Sequence, residues 1–121
     1  MSGISDYLSN KLLDHTLGNT AYTQPATLYL ALFLTGGVEV SGGSYARQVI
    51  EFGSASSGQA LNSNIPIFTM PSCTITDFAI YDALTSGNEL FSKTLPTSIP
   101  FTSLDTYSHA AGSISISSVP A

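Results

Sequence analysis

The stretch between Pro25 and Gly36 limits the possible folds more than any other: Leu28, Leu30, Leu32 and Leu34 alternate with Tyr29, Ala31 and Phe33. Successive side chains of a strand point to opposite sides, so here both sides are apolar. Such a strand belongs at the centre of a sheet, either under a helix or inside an interface. Leucine also favours helices, and the sequence alone leaves a helical reading of this run open. The apolar stretch Ala26 to Leu34 is far shorter than the roughly 20 residues of a membrane-spanning helix. It also stands too far from the start, without a basic lead-in, to be a signal sequence. No membrane is expected as a partner, and the chain is expected to be intracellular when made.

Around this run the punctuation is that of a β protein. Strand-like runs are expected at Val38 to Val40, Tyr45 to Phe52, Ala60 to Phe68, Cys73 to Tyr81, Glu89 to Thr94, Ile99 to Thr102 and Ser113 to Val119. They are divided by Gly, Ser, Asn and Pro, with Ser41-Gly42-Gly43-Ser44 suited to a hairpin turn. In Cys73 to Tyr81, the set Thr74, Thr76, Phe78 and Ile80 presents the better core face towards its C-terminal half. Seven or eight short strands spaced in this way predict an antiparallel β-sandwich, jelly-roll-like, rather than a parallel α/β sheet.

The exception comes first in the chain. Ile4, Leu8 and Leu12, with Leu13 and Leu17 beside them, recur at helical spacing, and Gly18 supplies a stop. The reading is a mainly-β single domain over residues 1–121, with an N-terminal amphipathic helix over 1–18 and the sandwich over 26–121. The helix must lay its stripe on its own sandwich or on a neighbouring subunit.

Composition narrows the function. Only 9% of residues are charged against 43% apolar, so Ser, Thr, Asn, Gln and Gly must fill the surface. Charged residues normally supply about a quarter of a soluble domain, and a low share hints at surfaces that meet other protein. The three basic residues, Lys11, Arg47 and Lys93, are scattered in a chain of net charge −5. Phosphate contacts need several cations on one face, so nucleic acid is not an expected partner. Cys73 has no second cysteine to pair with and is expected to be a buried thiol.

Catalytic patterns are thin. His15 and His109 lie far apart with no companion ligands, so no metal site is expected; His15 suits a helix end and His109 an exposed loop. Gly42-Gly43-Ser44-Tyr45-Ala46 has Ala46 where a nucleophile elbow has its last glycine, and strand rather than helix follows. Asp77, Asp82, Glu89 and Asp105 could converge as paired carboxylates, although solvated acids are far commoner. No phosphate-gripping glycine loop precedes Lys93. The chain is therefore expected to be no enzyme and to need no cofactor. Arg47 sits within an apparent strand, so it is read either as one half of an edge or surface salt bridge, or as pairing bidentately with an acid across a subunit contact.

Long blocks of the chain resemble a known family. Ser5-Asp6-Tyr7-Leu8-Ser9-Asn10-Lys11-Leu12-Leu13-Asp14-His15 continues through Leu17-Gly18-Asn19-Thr20 and Tyr22-Thr23 to Pro25-Ala26-Thr27-Leu28-Tyr29-Leu30-Ala31-Leu32-Phe33. Glu39-Val40-Ser41-Gly42-Gly43-Ser44-Tyr45-Ala46-Arg47-Gln48 follows, then the shorter Ile80-Tyr81-Asp82-Ala83, Gly87-Asn88 with Leu90, and Ala111-Gly112-Ser113-Ile114. These resemble small virion structural proteins of tailed phages, often labelled tail-fibre proteins. Where such proteins carry a longer polar loop between Phe33 and Glu39, this chain has only Leu34-Thr35-Gly36-Gly37-Val38. The resemblance implies a virion protein made in the host cytoplasm. The absence of elongated repeats favours a likeness to capsid cement or decoration proteins on the outer surface of the head. On that reading the partners are the major capsid protein and a second copy in a homodimer, and Tyr7, Leu8, Leu12, Tyr45 and Arg47 are the candidate interface residues. The alternatives are a tail-tip or fibre-associated module touching a host glycan or protein, with Tyr22, Tyr45 or Tyr107 lining a pocket, and an enzyme acting on cell-wall polymer.

Overall fold

A computed structural model describes residues 3–117. Its elements in chain order are β1 (Gly3–Ile4), α1 (Asp6–Thr16), β2 (Leu28–Leu34), β3 (Gln48–Ile50), β4 (Gln59–Leu61), β5 (Ile67–Met70), β6 (Cys73–Tyr81), β7 (Glu89–Phe101), β8 (Asp105–Ser108) and β9 (Ser115–Ser117). The fold is mainly β and antiparallel with one short helix, as the sequence predicts. The described strands form one five-stranded sheet in the order β1-β7-β6-β2-β3 and two two-stranded ladders, β4-β9 and β5-β8.

The two-sided strand β2 lies between β6 and β3, and its middle residues Leu30, Ala31 and Leu32 are fully buried. Residues paired directly across strands share a face of the sheet. On one face Leu30 meets Ile80, Leu32 meets Phe78 and Leu28 meets Ile50. This face joins Phe68 and Met70 of β5, Ile114 before β9 and Leu8 of α1 in a single core. The alternation is therefore legible, but only one of the two apolar faces is closed by other elements.

β6 matches the expected bounds at both ends. Its core face changes along its length: Ile75 is buried, then Phe78 and Ile80 are, because the register shifts between Ile75 and Asp77. Against β2, where Phe33 pairs with Asp77 and Leu34 with Ile75, Thr76 is the extra residue and turns the pleat over. The predicted core face is thus right for the C-terminal half, where the prediction was placed. The two runs around Leu95-Pro96 are one strand, β7, not two, since Pro96 is absorbed where the β6–β7 register slips. Conversely, Ala60 to Phe68 is not one strand but β4 and β5, parted by Asn62 to Pro66.

The expected hairpin at Gly42-Gly43 is also replaced. Leu34 donates to Val38 O at 2.7 Å and Val40 to Leu32 O at 2.9 Å, so Thr35-Gly36-Gly37 makes the turn, with both glycines at positive φ. Glycine alone takes that conformation without strain. Glu39 bridges Phe33, the chain leaves the edge of β2 through Ser41 to Ala46, and β3 returns to the same edge. Of the expected strand Ser113 to Val119, β9 covers Ser115–Ser117, while Ser118 and Val119 lie outside the described residues.

α1 is shorter than the expected 1–18, beginning at Asp6 and ending at Thr16. Ser5 caps it by accepting a hydrogen bond from Leu8 N, and Ile4 belongs to β1. Ser5 N donates to Leu90 O, which ties the helix start to β7. Leu17 caps the helix, and Gly18 follows with a φ of 82° that ordinary side chains resist.

Candidate functional site

The open face of the sheet carries the densest polar arrangement of the described residues. Across it runs a row of small partners, Ala31 with Ala79, Ala79 with Ser92, and Ser92 with Gly3. One flanking row holds Phe33, Asp77 and Thr94; the other holds Tyr29, Tyr81 and Glu89. Each flank stands about 7 Å from the small row, two residues along a strand. The result is a trough with a floor of small residues and aromatic and acidic walls.

Arg47 fills one half of it. Gln48 faces Leu30, so Arg47, one residue earlier, falls on the side of Ala31, and its side chain is only 7% exposed. Its guanidinium reaches over β2 to lie 4.0 Å from the Tyr81 ring centroid. Nε and Nη2 donate to Glu39 Oε2 and Oε1, both at 2.9 Å, in a bidentate pair. Nη1 donates to Ala83 O at 2.9 Å and Ser86 O at 2.8 Å. Arginine's planar fork suits a carboxylate on one edge and carbonyls on the other. The acid that pairs with Arg47 is thus Glu39 of its own chain.

Tyr45 completes the cluster. The excursion of residues 41–47 leaves Leu32 N on the β2 edge without a strand partner, and the Tyr45 hydroxyl accepts from it at 3.0 Å. The same hydroxyl donates to Glu39 Oε2 at 2.8 Å, while the ring stacks on Phe68. Burial, with the neighbouring Glu39, drives the phenol far above its ordinary value. Burial raises Glu39, but the hydrogen bonds from Arg47 and Tyr45 outweigh it and hold the carboxyl below its usual range.

The other half of the trough is a cleft of about 410 Å³ lined by Phe33, Asp77, Ala79, Tyr81, Glu89 and Ser92. Phe33 and Tyr81 stack with centroids 6.1 Å apart. Hydroxyls of Thr76 and Thr94 donate to Asp77 and hold it below its ordinary value, whereas burial raises Glu89. Of the four acids considered for convergence, only these two line this cleft. Asp82 instead binds Asn88 N and Nδ2, and Asp105 accepts from Thr102 N.

On the helix side lies a groove of about 290 Å³ formed by Ile4, Leu12, Ala60, Phe91 and Ile116. Of the interface candidates, Leu8 is buried in the core, Leu12 lines this groove, and Tyr7 is half-buried with Lys11 Nζ 5.7 Å from its ring centroid. Tyr45 and Arg47 belong to the trough, on a different part of the molecule. Leu13 and Leu17 are 57% and 77% exposed, so α1 leaves much of its stripe uncovered.

His109 is not the exposed loop residue the sequence suggests. Its ring packs edge-on against Tyr107 at 4.8 Å and Phe78 at 5.4 Å, and Nε2 is buried without a hydrogen-bond partner. Burial pushes its pKa below the ordinary value. In the unfolded chain it takes up a proton at about pH 6.5, so the folded state binds fewer protons just below that pH. Stability should therefore fall as pH drops through 6.5 towards the folded value, and His109→Phe should flatten that fall. Melting temperatures between pH 7.5 and 5.5 for both chains test this; equal slopes would refute it. Cys73 also departs from expectation, being half-buried rather than enclosed. His15 sits in the last helical turn as predicted, its Nδ1 accepting from Tyr22 N.

Among the described residues, no three His, Cys, Asp or Glu side chains gather as a metal site, and no helix is long and apolar enough to cross a membrane. Comparison with protein families then gives the class: this is a structural protein of the phage virion, of the fibre kind. The chain belongs to the family described as Podophage GP4 fiber I protein gp80, whose model matches residues 3–117. A search of curated proteins returned no match.

Proposed function

We propose that the protein is a non-enzymatic module of the phage's fibre apparatus, held in the particle by its helix side. The observation that carries this reading is the uncovered apolar side chains at the helix: Leu12 and Leu13 on α1, Leu17 at its C-cap and Ile4 before it are all at least 39% exposed. Large apolar side chains left exposed together at one element mark contact with other protein. The family's description as a fibre protein supports a contact within the tail. A structural role also suits the polar cluster, in which Arg47, Tyr45 and Glu39 satisfy one another and brace backbone.

A second reading keeps the head. A compact fold without elongated repeats suits a cement or decoration protein that bridges major capsid subunits as a homodimer on the outer surface, where area buried only in the assembled shell stabilises it by mass action. Cryo-EM of the virion separates the two. Density for this fold in the fibres supports the first reading; density on the head lattice overturns it for the second.

Substituting the stripe should separate assembly from folding. Leu13→Glu with Leu17→Glu changes exposed positions, so stability should stay within about 0.5 kcal/mol. Incorporation into particles should drop at least about tenfold, as for a loss of about 1.4 kcal/mol of contact. Normal incorporation would show that the stripe is not the attachment surface.

A further inference from the structure

Leu104 is the outlier of the described backbone. It turns the chain from β7 into β8 at a φ of 70°, in the left-handed region that a leucine side chain resists, and it is 73% exposed. The other non-glycine residues described at positive φ are serines, Ser57 and Ser86. The turn around Leu104 is firmly held: Leu104 N donates to Met70 O at 2.8 Å, Asp105 N to Thr102 O at 3.1 Å, and Thr102 N to Asp105 Oδ2 at 2.8 Å. Neighbouring bonds thus keep a strained apolar side chain standing out into solvent, and strain of that kind persists only where the rest of the fold over-determines it. Glycine or asparagine would make the turn with less strain.

The groove of Ile4, Leu12, Ala60, Phe91 and Ile116 presents the complement, an apolar recess of about 290 Å³ on the helix side. That is just below the roughly 300–1,000 Å³ of small-molecule sites and suits a single branched aliphatic side chain. Leu104 cannot enter the groove of its own chain. Phe91 lies near the start of β7 and Leu104 beyond its end at Phe101, with up to roughly 30 Å of strand between them. The charges match as well. Asp105 follows Leu104 in the turn, and Lys93, one pleat beyond Phe91 on the same strand, lines a cleft that adjoins the groove through Phe91 and Ile116. We propose that the Leu104 turn of one copy seats in the helix-side groove of the next. Knob and groove are different surfaces, so the contact is heterologous: it runs head to tail and repeats along a row of copies, unlike the self-complementary contact of a two-fold dimer. The low share of charged residues, 9%, suits a surface that meets copies of itself. The inference rests on the reading of the helix side as a contact surface and names what fills its groove, which neither Leu13 nor Leu17 lines.

Self-association of the full-length chain tests it. The mean mass of the parent, measured by light scattering, should rise with concentration towards the millimolar range. Leu104→Gly should stay monomeric over that range and melt close to the parent, since glycine takes the same φ without strain. Leu12→Glu, which spoils the groove, should also stay monomeric. Mixing the two variants is decisive, because one keeps the groove and the other keeps the knob. Labelled Leu104→Gly titrated with unlabelled Leu12→Glu should show saturable amide shifts at Ala60, Phe91 and Ile116, with an affinity at least about tenfold above that for a chain carrying both substitutions. A parent that stays monomeric, a Leu104→Gly chain that associates as the parent does, or folded variants that give no shifts on mixing would overturn the assignment. The comparison of parent with Leu104→Gly decides the matter even if Leu12→Glu misfolds. The Leu13→Glu, Leu17→Glu chain keeps knob and groove and should associate like the parent; loss of association there would place the contact on the helix stripe and also overturn it. Failure here would leave attachment through that stripe standing, which incorporation into particles reads separately.

Discussion

Replacing Arg47 with alanine should destabilise the protein by about 3 kcal/mol, the lower end of the cost of removing one partner of a buried ion pair. The lower end applies because Glu39 keeps some solvent, its side chain being 27% exposed. Three consequences add up. Glu39 loses its cation, the carbonyls of Ala83 and Ser86 lose their donor, and the Tyr81 ring loses the guanidinium on its face. The loop from Asp82 to Asn88 should loosen first. Arg47→Lys should recover less than half of the loss, since one ammonium cannot serve a bidentate carboxylate and two carbonyls together. Urea unfolding monitored by circular dichroism measures both. A stability within 0.5 kcal/mol of the parent for Arg47→Ala would show that the cluster is ornamental, by the usual range for surface changes.

Asn62→Leu should cost a similar amount, about 3 kcal/mol, by leaving buried backbone groups unsatisfied. Asn62 is 2% exposed and carries the β4–β9 pairing on past its end at Leu61 and Ser115. Its Nδ2 donates to Asn64 O and Ala110 O, its Oδ1 accepts from Ile114 N, and its backbone exchanges bonds with Ile114 and Gly112. Leucine is of similar size and removes all three side-chain bonds without opening a cavity, so the loss reads polar satisfaction rather than packing. Thermal melting gives the size of the effect. Hydrogen exchange gives its place, because the Ile114 amide should lose protection before the amides of β6. Unchanged exchange at Ile114 would contradict this account of the residue.

The sequence made the regular parts legible for a simple reason: period. Alternation over Leu28 to Leu34 and helical spacing from Leu8 to Leu13 are local signals, and both elements fall where they indicate. β6 even keeps its predicted ends. What sequence could not deliver depends on partners distant along the chain. The turn at Gly36-Gly37 and the excursion through Gly42-Gly43 carry the same glycine signal, and only the edge of β2 decides which one closes a hairpin. Pro96 reads as a break but lies in a long strand, because the slipped register there spares it a ladder bond. For the trough, Arg47 stood out by its isolation and Glu39 lay within the same recognisable block. Tyr81, Phe33 and Glu89 carried no mark, since their shared row exists only once β2, β6 and β7 are in register. Asn62 did leave a trace, an Asn-Ser-Asn interruption in an otherwise apolar run.

The central claim, a structural protein built into the particle through its helix side, meets its most direct test in purified virions. Quantitative mass spectrometry should find the protein at a fixed number of copies per particle, a number the Leu13→Glu, Leu17→Glu chain fails to reach although it folds normally in the lysate. A protein abundant in the lysate but lacking from purified particles, or one present equally in both forms, would contradict the account.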